Sequence, residues 1–243
     1  MRDTLGSTRV NRGKFMSQGL KYHIDIVFCI DVTGSMTPVI DVVKNKVRSF
    51  PHDLRDALAK KDRSVNILRI RTIAFRDFAN DPEAMRASDF FEVEPSTDLS
   101  KFESFINSLS PSGGGDEPES ALEALAVAQK SDWTHEGDKQ RHIIVMFTDA
   151  SAHKLESRVG EISAEFKDQI PGSLDELTDR WEGNQSVRLT KSARRLLIFG
   201  PDAYPWNVIG DAWGQTVWLP SQAGKGLEDV EYATILDTIV NSI

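Results

Sequence analysis

The sequence predicts an α/β fold: a doubly wound, mostly parallel, Rossmann-like central sheet with helices on both faces and one antiparallel edge strand. Two observations predict it. Short apolar runs at 23–30, 142–147, 196–199 and 216–219 read as buried strands. Amphipathic stretches of helical spacing separate them, and strands alternating with such helices imply parallel pairing under helical cover on both sides.

Taken in order, residues 1–21 carry Arg2, Arg9, Arg12, Lys14 and Lys21 against Asp3 alone, with no helical or strand period. They lack the apolar stretch of a secretory leader. They read as a flexible, locally basic tail, with docking to something acidic as the rival role. One domain is expected from 22 to 243. Its first strand, 23–30, ends at Asp31. Thr37 then offers an N-cap with Pro38 at the first helical position. Val39, Val43, Val47 and Leu54, flanked by Val42 and Phe50, make one apolar stripe, so a helix is expected to run through them.

Residues 66–75 alternate like a strand, 90–93 make a short edge strand, and 99–109 look helical. Pro111-Ser112-Gly113-Gly114-Gly115 then breaks the chain. A helix at 118–130 places Ala121, Leu122, Leu125 and Ala126 on one face. The last helix, 230–240, is amphipathic through Tyr232, Ile235, Leu236, Ile239 and Val240. Between Asp149 and Arg194 lie about 45 residues of weak periodicity, longer than an ordinary connection. Within them Ser173 and Glu176 form a capping box for a short helix to Trp181, ended by Gly183-Asn184. Residues 154–194 are expected as a loop and helix insertion near the top of the sheet.

Composition narrows the function. The 243 residues carry 29 Lys+Arg against 37 Asp+Glu, a net charge of −8. That balance argues against broad nucleic-acid binding and against adhesion to an anionic membrane. The longest apolar runs, about five residues, fall far short of the roughly 20 of a membrane span. The single cysteine, Cys29, excludes an internal disulfide and a cysteine-ligated zinc site. In a core strand it reads as a small buried hydrophobe. With neither leader nor disulfide, a cytoplasmic protein is expected. Trp206, Trp213 and Trp218 read as packing rather than a base-stacking platform.

In open α/β sheets, ligands bind outside the carboxyl ends of the strands. There the sequence places Asp31-Val32-Thr33-Gly34-Ser35, Gly113 to Glu119 at a helix start, and Thr148-Asp149. All offer oxygen. Alternate side chains of an extended loop point the same way, so Asp31, Thr33 and Ser35 can converge. Hydroxyls and carboxylates without a thiolate suit a hard cation, Mg²⁺ or Mn²⁺.

Asp31-Val-Thr-Gly-Ser35-Met resembles the Asp-x-Ser/Thr-x-Ser motif of von Willebrand factor A domains, which forms their metal-ion-dependent adhesion site. The resemblance extends to Ala74-Phe-Arg-Asp77, Gly113-Gly-Gly-Asp-Glu-Pro-Glu119, and Arg141 to Ala150 followed by His153. The combination is most similar to the bacterial and hemicentin-like branch, over roughly 22–243, with 154–194 poorly matched. It implies Asp31, Thr33, Ser35 and Asp149 as metal ligands. Many members place a threonine at the middle position, and this chain has none. Its Asp116-Glu-Pro-Glu119 resembles the integrin β-subunit version, which implies Glu119 as the middle ligand, with Asp116 as its rival.

Plainer roles stand beside these. Asp116 and Glu119 have the spacing of an N-cap and its N3 partner, so a capping box accounts for both. Thr33 and Ser35 are also ordinary turn residues. Asp77 and His153 are candidates for the rim of the site. Against that, His153 reads as a solvated loop residue, and Arg76-Asp77 as an internal ion pair.

The resemblance implies a non-catalytic protein-interaction module, with a partner's acidic side chain completing the coordination of Mg²⁺ or Mn²⁺. Bacterial domains of this type often serve ATPase, kinase or phosphatase systems. The alternative is a Mg²⁺-dependent phosphatase of haloacid-dehalogenase type with Asp31 as nucleophile. That chemistry needs a second acid two residues on, where Thr33 stands. Nucleotide binding is disfavoured, since Gly113-Gly-Gly is not Gly-x-Gly-x-x-Gly and does not directly follow a strand.

Overall fold

The structure, a computed structural model, describes residues 21–46, 48–95, 97–114, 117–157, 160, 162–183, 188–225, 227 and 230–243. The expected tail, apart from Lys21, lies outside the described residues. In chain order the elements are β1 (Tyr22–Asp31), a 3-10 turn (Gly34–Met36), α1 (Thr37–Lys46), α2 (Phe50–Ala59), β2 (Ile67–Phe75), β3 (Met85–Ala87), β4 (Phe91–Glu94) and α3 (Leu99–Asn107). They continue with α4 (Ala121–Gln129), β5 (Lys139–Phe147), α5 (Ala164–Lys167), α6 (Leu174–Glu182), β6 (Arg194–Pro201), α7 (Trp206–Ala212), β7 (Thr216–Ser221) and α8 (Tyr232–Ser242).

The parallel strands lie in the order β2, β1, β5, β6, β7. Along the free side of β2 run β3 and β4, both antiparallel to it. Together they make one antiparallel edge, interrupted where the Ser88 hydroxyl accepts the Thr72 N–H at 3.0 Å. The β3 segment has no apolar signal of its own in the sequence. Both faces of the sheet are covered. Ile24, Ile26, Phe28 and Ile30 of β1 enter one core with α1, α2, α3 and α8, while Val27 and Cys29 enter the other with α4, α6 and α7. The two-residue period of a strand makes this division, and burial on both sides explains why β1 reads as one continuous apolar run.

The 154–194 stretch supplies the β5-to-β6 crossover. Its Phe166, Leu177 and Trp181 are buried in the second core. The α6 capping box is present: the Ser173 hydroxyl accepts the Glu176 N–H at 3.2 Å, and Gly183 closes the helix at φ +82°.

Several local expectations are corrected. The stripe from Val39 to Leu54 belongs to two helices, since Pro51 cannot donate to the carbonyl four residues back and its ring crowds that group. Thr37 is the first residue of α1, and its hydroxyl donates back to Gly34 O at 2.8 Å instead of capping. The helix expected from Pro118 begins at Ala121. Among the described residues no helix is long and apolar enough to cross a membrane.

At the amino end of the sheet Asp25 is completely buried. Arg69 on β2 grips it with two hydrogen bonds of 2.8 and 2.6 Å, and the Thr134 N–H adds a third at 2.7 Å. Removing one partner of a buried pair strands the other charge. Arg69→Met should therefore cost about 3–5 kcal/mol in urea unfolding. Asp25→Leu/Arg69→Met should recover part of that loss; a double variant no more stable than Arg69→Met contradicts the pairing.

Candidate metal centre

The β1-to-β2 connection crosses one face of the sheet through α1 and α2, and the β5-to-β6 connection crosses the other through α6. Between the carboxyl ends of β1 and β5 the connections thus depart in opposite directions, and a crevice opens. Three chain segments line it: the loop after β1, the glycine-rich approach to α4, and the loop after β5.

Asp31, the last residue of β1, is fully buried. Its Oδ1 accepts the Thr33 N–H at 2.9 Å and the Thr33 hydroxyl at 2.6 Å; its Oδ2 accepts the Thr148 hydroxyl at 2.9 Å. Burial raises its carboxyl to about 6 despite these donors, and nearby Asp149 adds to the rise. The Ser35 hydroxyl lies 3.5 Å from Thr33 Oγ1 and donates to Asp149 Oδ1 at 3.0 Å. A line of contacts therefore runs Asp31–Thr33–Ser35–Asp149.

Glu119 reaches the crevice by extended backbone. It forms a parallel bridge with Ala152, its N–H donating to Ser151 O at 2.9 Å and its carbonyl accepting the His153 N–H at 3.0 Å. Standing before α4 rather than inside its first turn, it is no N3 partner, and the capping-box reading of Glu119 is overturned. Its Oε2 is buried without a hydrogen-bond partner. Burial, then Asp31, Asp77, Asp81 and Asp149, push its carboxyl up to about 8. Asp116 lies outside the described residues.

Gly114 makes this approach sterically feasible. At φ +71°, a Cβ there would meet Thr33 Cβ at 2.8 Å and Glu119 Oε1 at 3.1 Å. The resulting pocket of about 370 Å³ is walled by Thr33, Ser35, Gly114, Glu119 and Asp149, with Glu117 also in its lining. Asp31 is not part of that wall; it stands behind it and fixes Thr33.

Asp77 and His153 pair with each other outside the wall, Nε2 to Oδ1 at 3.1 Å. Asp77, 1% exposed, also accepts the Ala79 N–H, the Asn80 amide and the Ser120 hydroxyl. His153 is therefore a clamp between loops and not a solvated side chain. The expected Arg76–Asp77 pair does not form: the Arg76 guanidinium is occupied by the carbonyls of Ser110, Ser112 and Glu83. The sequence places Thr148 among the oxygen donors and Trp206 in packing, but not their contacts: the Thr148 hydroxyl holds Asp31, and the Trp206 indole donates to Ala150 O at 2.9 Å and steadies the loop after β5. An indole so far along the chain carries no local signal of such a role.

Among the described residues, no three His, Cys, Asp or Glu side chains are gathered closely enough to hold a metal by themselves. Any cation here would also need the Thr33 and Ser35 hydroxyls. The donor set is all oxygen, the type hard dications take.

Comparison with known proteins gives the family. The family model described as von Willebrand factor A domain matches residues 25–172. The chain belongs to that family. An α-protein kinase of Dictyostelium discoideum, vwkA, is 26% identical over 133 residues, covering 55% of this chain and 19% of that protein. The chain thus spans only about a fifth of the length of that relative. Among solved structures, the pilus adhesin SpaC of Lactobacillus rhamnosus GG matches with a TM-score of 0.53 and 10% identity, over 92% of this chain and 31% of that one. A von Willebrand factor type A protein from Catenulispora acidiphila matches with a TM-score of 0.45 and 10% identity, over 91% and 43%. The SpaC likeness is one of fold. Membership of the von Willebrand factor A family suggests a protein-interaction module.

The raised carboxyls give a pH dependence with a definite sign. The unfolded chain loses these protons at ordinary carboxylate values, before the folded protein does. Without metal, stability should therefore fall as pH rises from about 4 to about 8. The urea midpoint should be higher at pH 5 than at pH 8.5, and Glu119→Gln should flatten the slope. An unchanged slope in that variant contradicts the placement of Glu119.

Proposed function

We propose that this domain is a metal-dependent protein-interaction module, in which the crevice between β1 and β5 holds Mg²⁺, or Mn²⁺, and receives an acidic side chain of a partner. The observation that carries the reading is Glu119. Its buried Oε2 has no partner, and Asp31, Asp77, Asp81 and Asp149 all act to raise its pKa. A dication offsets that crowding, and an oxygen-only donor set fits one. Thr33, Ser35, Glu119 and Asp149 would hold the ion, with Asp31 keeping Thr33 in place from behind. When bound, the ion supplies strong local attraction for an incoming carboxylate on a protein whose net charge is −8. Asp77 and His153 bind no metal in this scheme; they fix the loop that carries Asp149 to the segment that carries Glu119.

The module reading is non-catalytic. A phosphatase with Asp31 as nucleophile requires an accessible carboxylate, whereas Asp31 is fully buried and both its oxygens accept hydrogen bonds. For the partner, an ATPase, kinase or phosphatase system in the cytoplasm fits the resemblance. A kinase system has the added support of the vwkA match, which covers 19% of that protein.

The test is thermal and then biochemical. At a hundredfold excess over Kd, Mg²⁺ or Mn²⁺ should stabilise the fold by about 2.7 kcal/mol. Asp31→Ala and the more conservative Ser35→Ala should each reduce or abolish the rise, Ser35→Ala with little effect on the metal-free midpoint. Partner capture should be lost in chelator and restored by Mg²⁺. No response to millimolar Mg²⁺, Mn²⁺ or Ca²⁺ would overturn the metal-dependent mechanism.

A further inference from the structure

All nine residues of α4 are buried, yet one of them is acidic. Glu123 is 2% exposed, and its Oε2 has no hydrogen-bond partner. None of the ion pairs among the described residues includes it. Holding a carboxylate out of water without a countercharge is costly. Burial, with Asp77 adding to it, pushes this carboxyl up to about 7. A helix otherwise built of Ala, Leu and Val, with Gln129 at its end, would pack as well with an apolar residue there.

Glu123 sits in the wall of a second pocket, of about 420 Å³, beneath the β5-to-β6 crossover. Leu155, Ile162, Ile170 and Pro171 give it aliphatic walls, and the exposed Lys167 and Asp168 border it. It shares no described lining residue with the crevice pocket. The wall chemistry selects among ligands. The unpartnered Glu123 carboxyl inside the pocket disfavours an anion there; the exposed Lys167 stands beside Asp168 at the border. A bare dication needs several oxygen donors, and no metal-ligating cluster occurs among the described residues. A cation with an apolar stem satisfies both the carboxylate and the aliphatic surface, as a lysine side chain does when its stem lies on apolar surface.

We propose that this pocket binds an alkylammonium group: a primary ammonium seated against Glu123, with its aliphatic stem against Leu155, Ile162, Ile170 and Pro171. The group is either a free alkylamine or the lysine side chain of a partner protein. Its described lining is separate from that of the crevice.

The test is an NMR titration of the full chain with n-butylamine at neutral pH, in the presence of chelator. Saturable shifts are expected for amides of residues 155–157 and 162–171 and of α4. Glu123→Gln preserves side-chain shape and should weaken binding at least tenfold. Ile170→Trp fills the pocket without changing its charge and should also abolish saturation. The neutral isostere 1-butanol should not saturate. Absence of saturable shifts in the wild type, or equal affinity in Glu123→Gln, overturns the proposal. A parallel titration with Nα-acetyl-lysine methylamide separates the sources. Affinity matching or exceeding that of butylamine assigns the pocket to a partner's lysine, and binding of butylamine alone assigns it to a free amine.

Discussion

Asp31 is a fully buried carboxylate satisfied by neutral donors alone, and the local architecture of the crevice follows from that arrangement. Both the amide and the hydroxyl of Thr33 turn back onto Oδ1, which fixes the chain leaving β1. The Thr148 hydroxyl reaches Oδ2 from the neighbouring strand and ties the end of β5 to the end of β1. Hydroxyl donors hold the carboxylate in place without cancelling its charge. Whatever is brought beside it, here Glu119 and Asp149, experiences that charge in a poorly solvated setting, where it is felt more strongly than in water.

The same strand shows how the fold treats a buried acid that has only a structural task. Asp25 and Asp31 lie on β1 and are both fully buried. At the amino end Asp25 receives a guanidinium, gripped by two short hydrogen bonds. At the carboxyl end none of the ion pairs among the described residues includes Asp31 or Glu119, although Arg76 is held nearby by carbonyls on a neighbouring loop. Within one strand, then, one buried acid is held by a guanidinium and the other by hydroxyl and amide donors. The acid held by neutral donors stands at the end where strand order makes a ligand crevice. That contrast separates a ligand site from a structural ion pair more sharply than any count of acidic residues.

Much of this was legible in the sequence because strand and helix periods are local. Runs such as 23–30 and 142–147 read as buried strands, which puts the residues that follow them at the rim. That reasoning brings Asp31, Thr33, Ser35 and Asp149 to one rim, where the structure links them by hydroxyl contacts. What stayed hidden depends on non-local partners. The role of Glu119 turned on whether it lay inside α4 or before it, and its bridge to Ala152, a residue far along the chain, decides that. Pairing of His153 with Asp77 is hidden for the same reason. The edge segment β3 has only three residues, too few for a period. The break between α1 and α2 was signalled by Pro51, but the apolar stripe continues smoothly across it and masks the break.

The central claim is that the crevice is a cation site whose walls are Thr33, Ser35, Glu119 and Asp149. Anomalous diffraction from crystals of the full chain soaked in Mn²⁺ tests it most directly. The account predicts one strong manganese peak within bonding distance of Ser35 Oγ and of a carboxylate oxygen of Glu119 or Asp149, absent in Asp31→Ala crystals. A well-measured map with no peak in the crevice, or with manganese bound only elsewhere on the acidic surface, would contradict it.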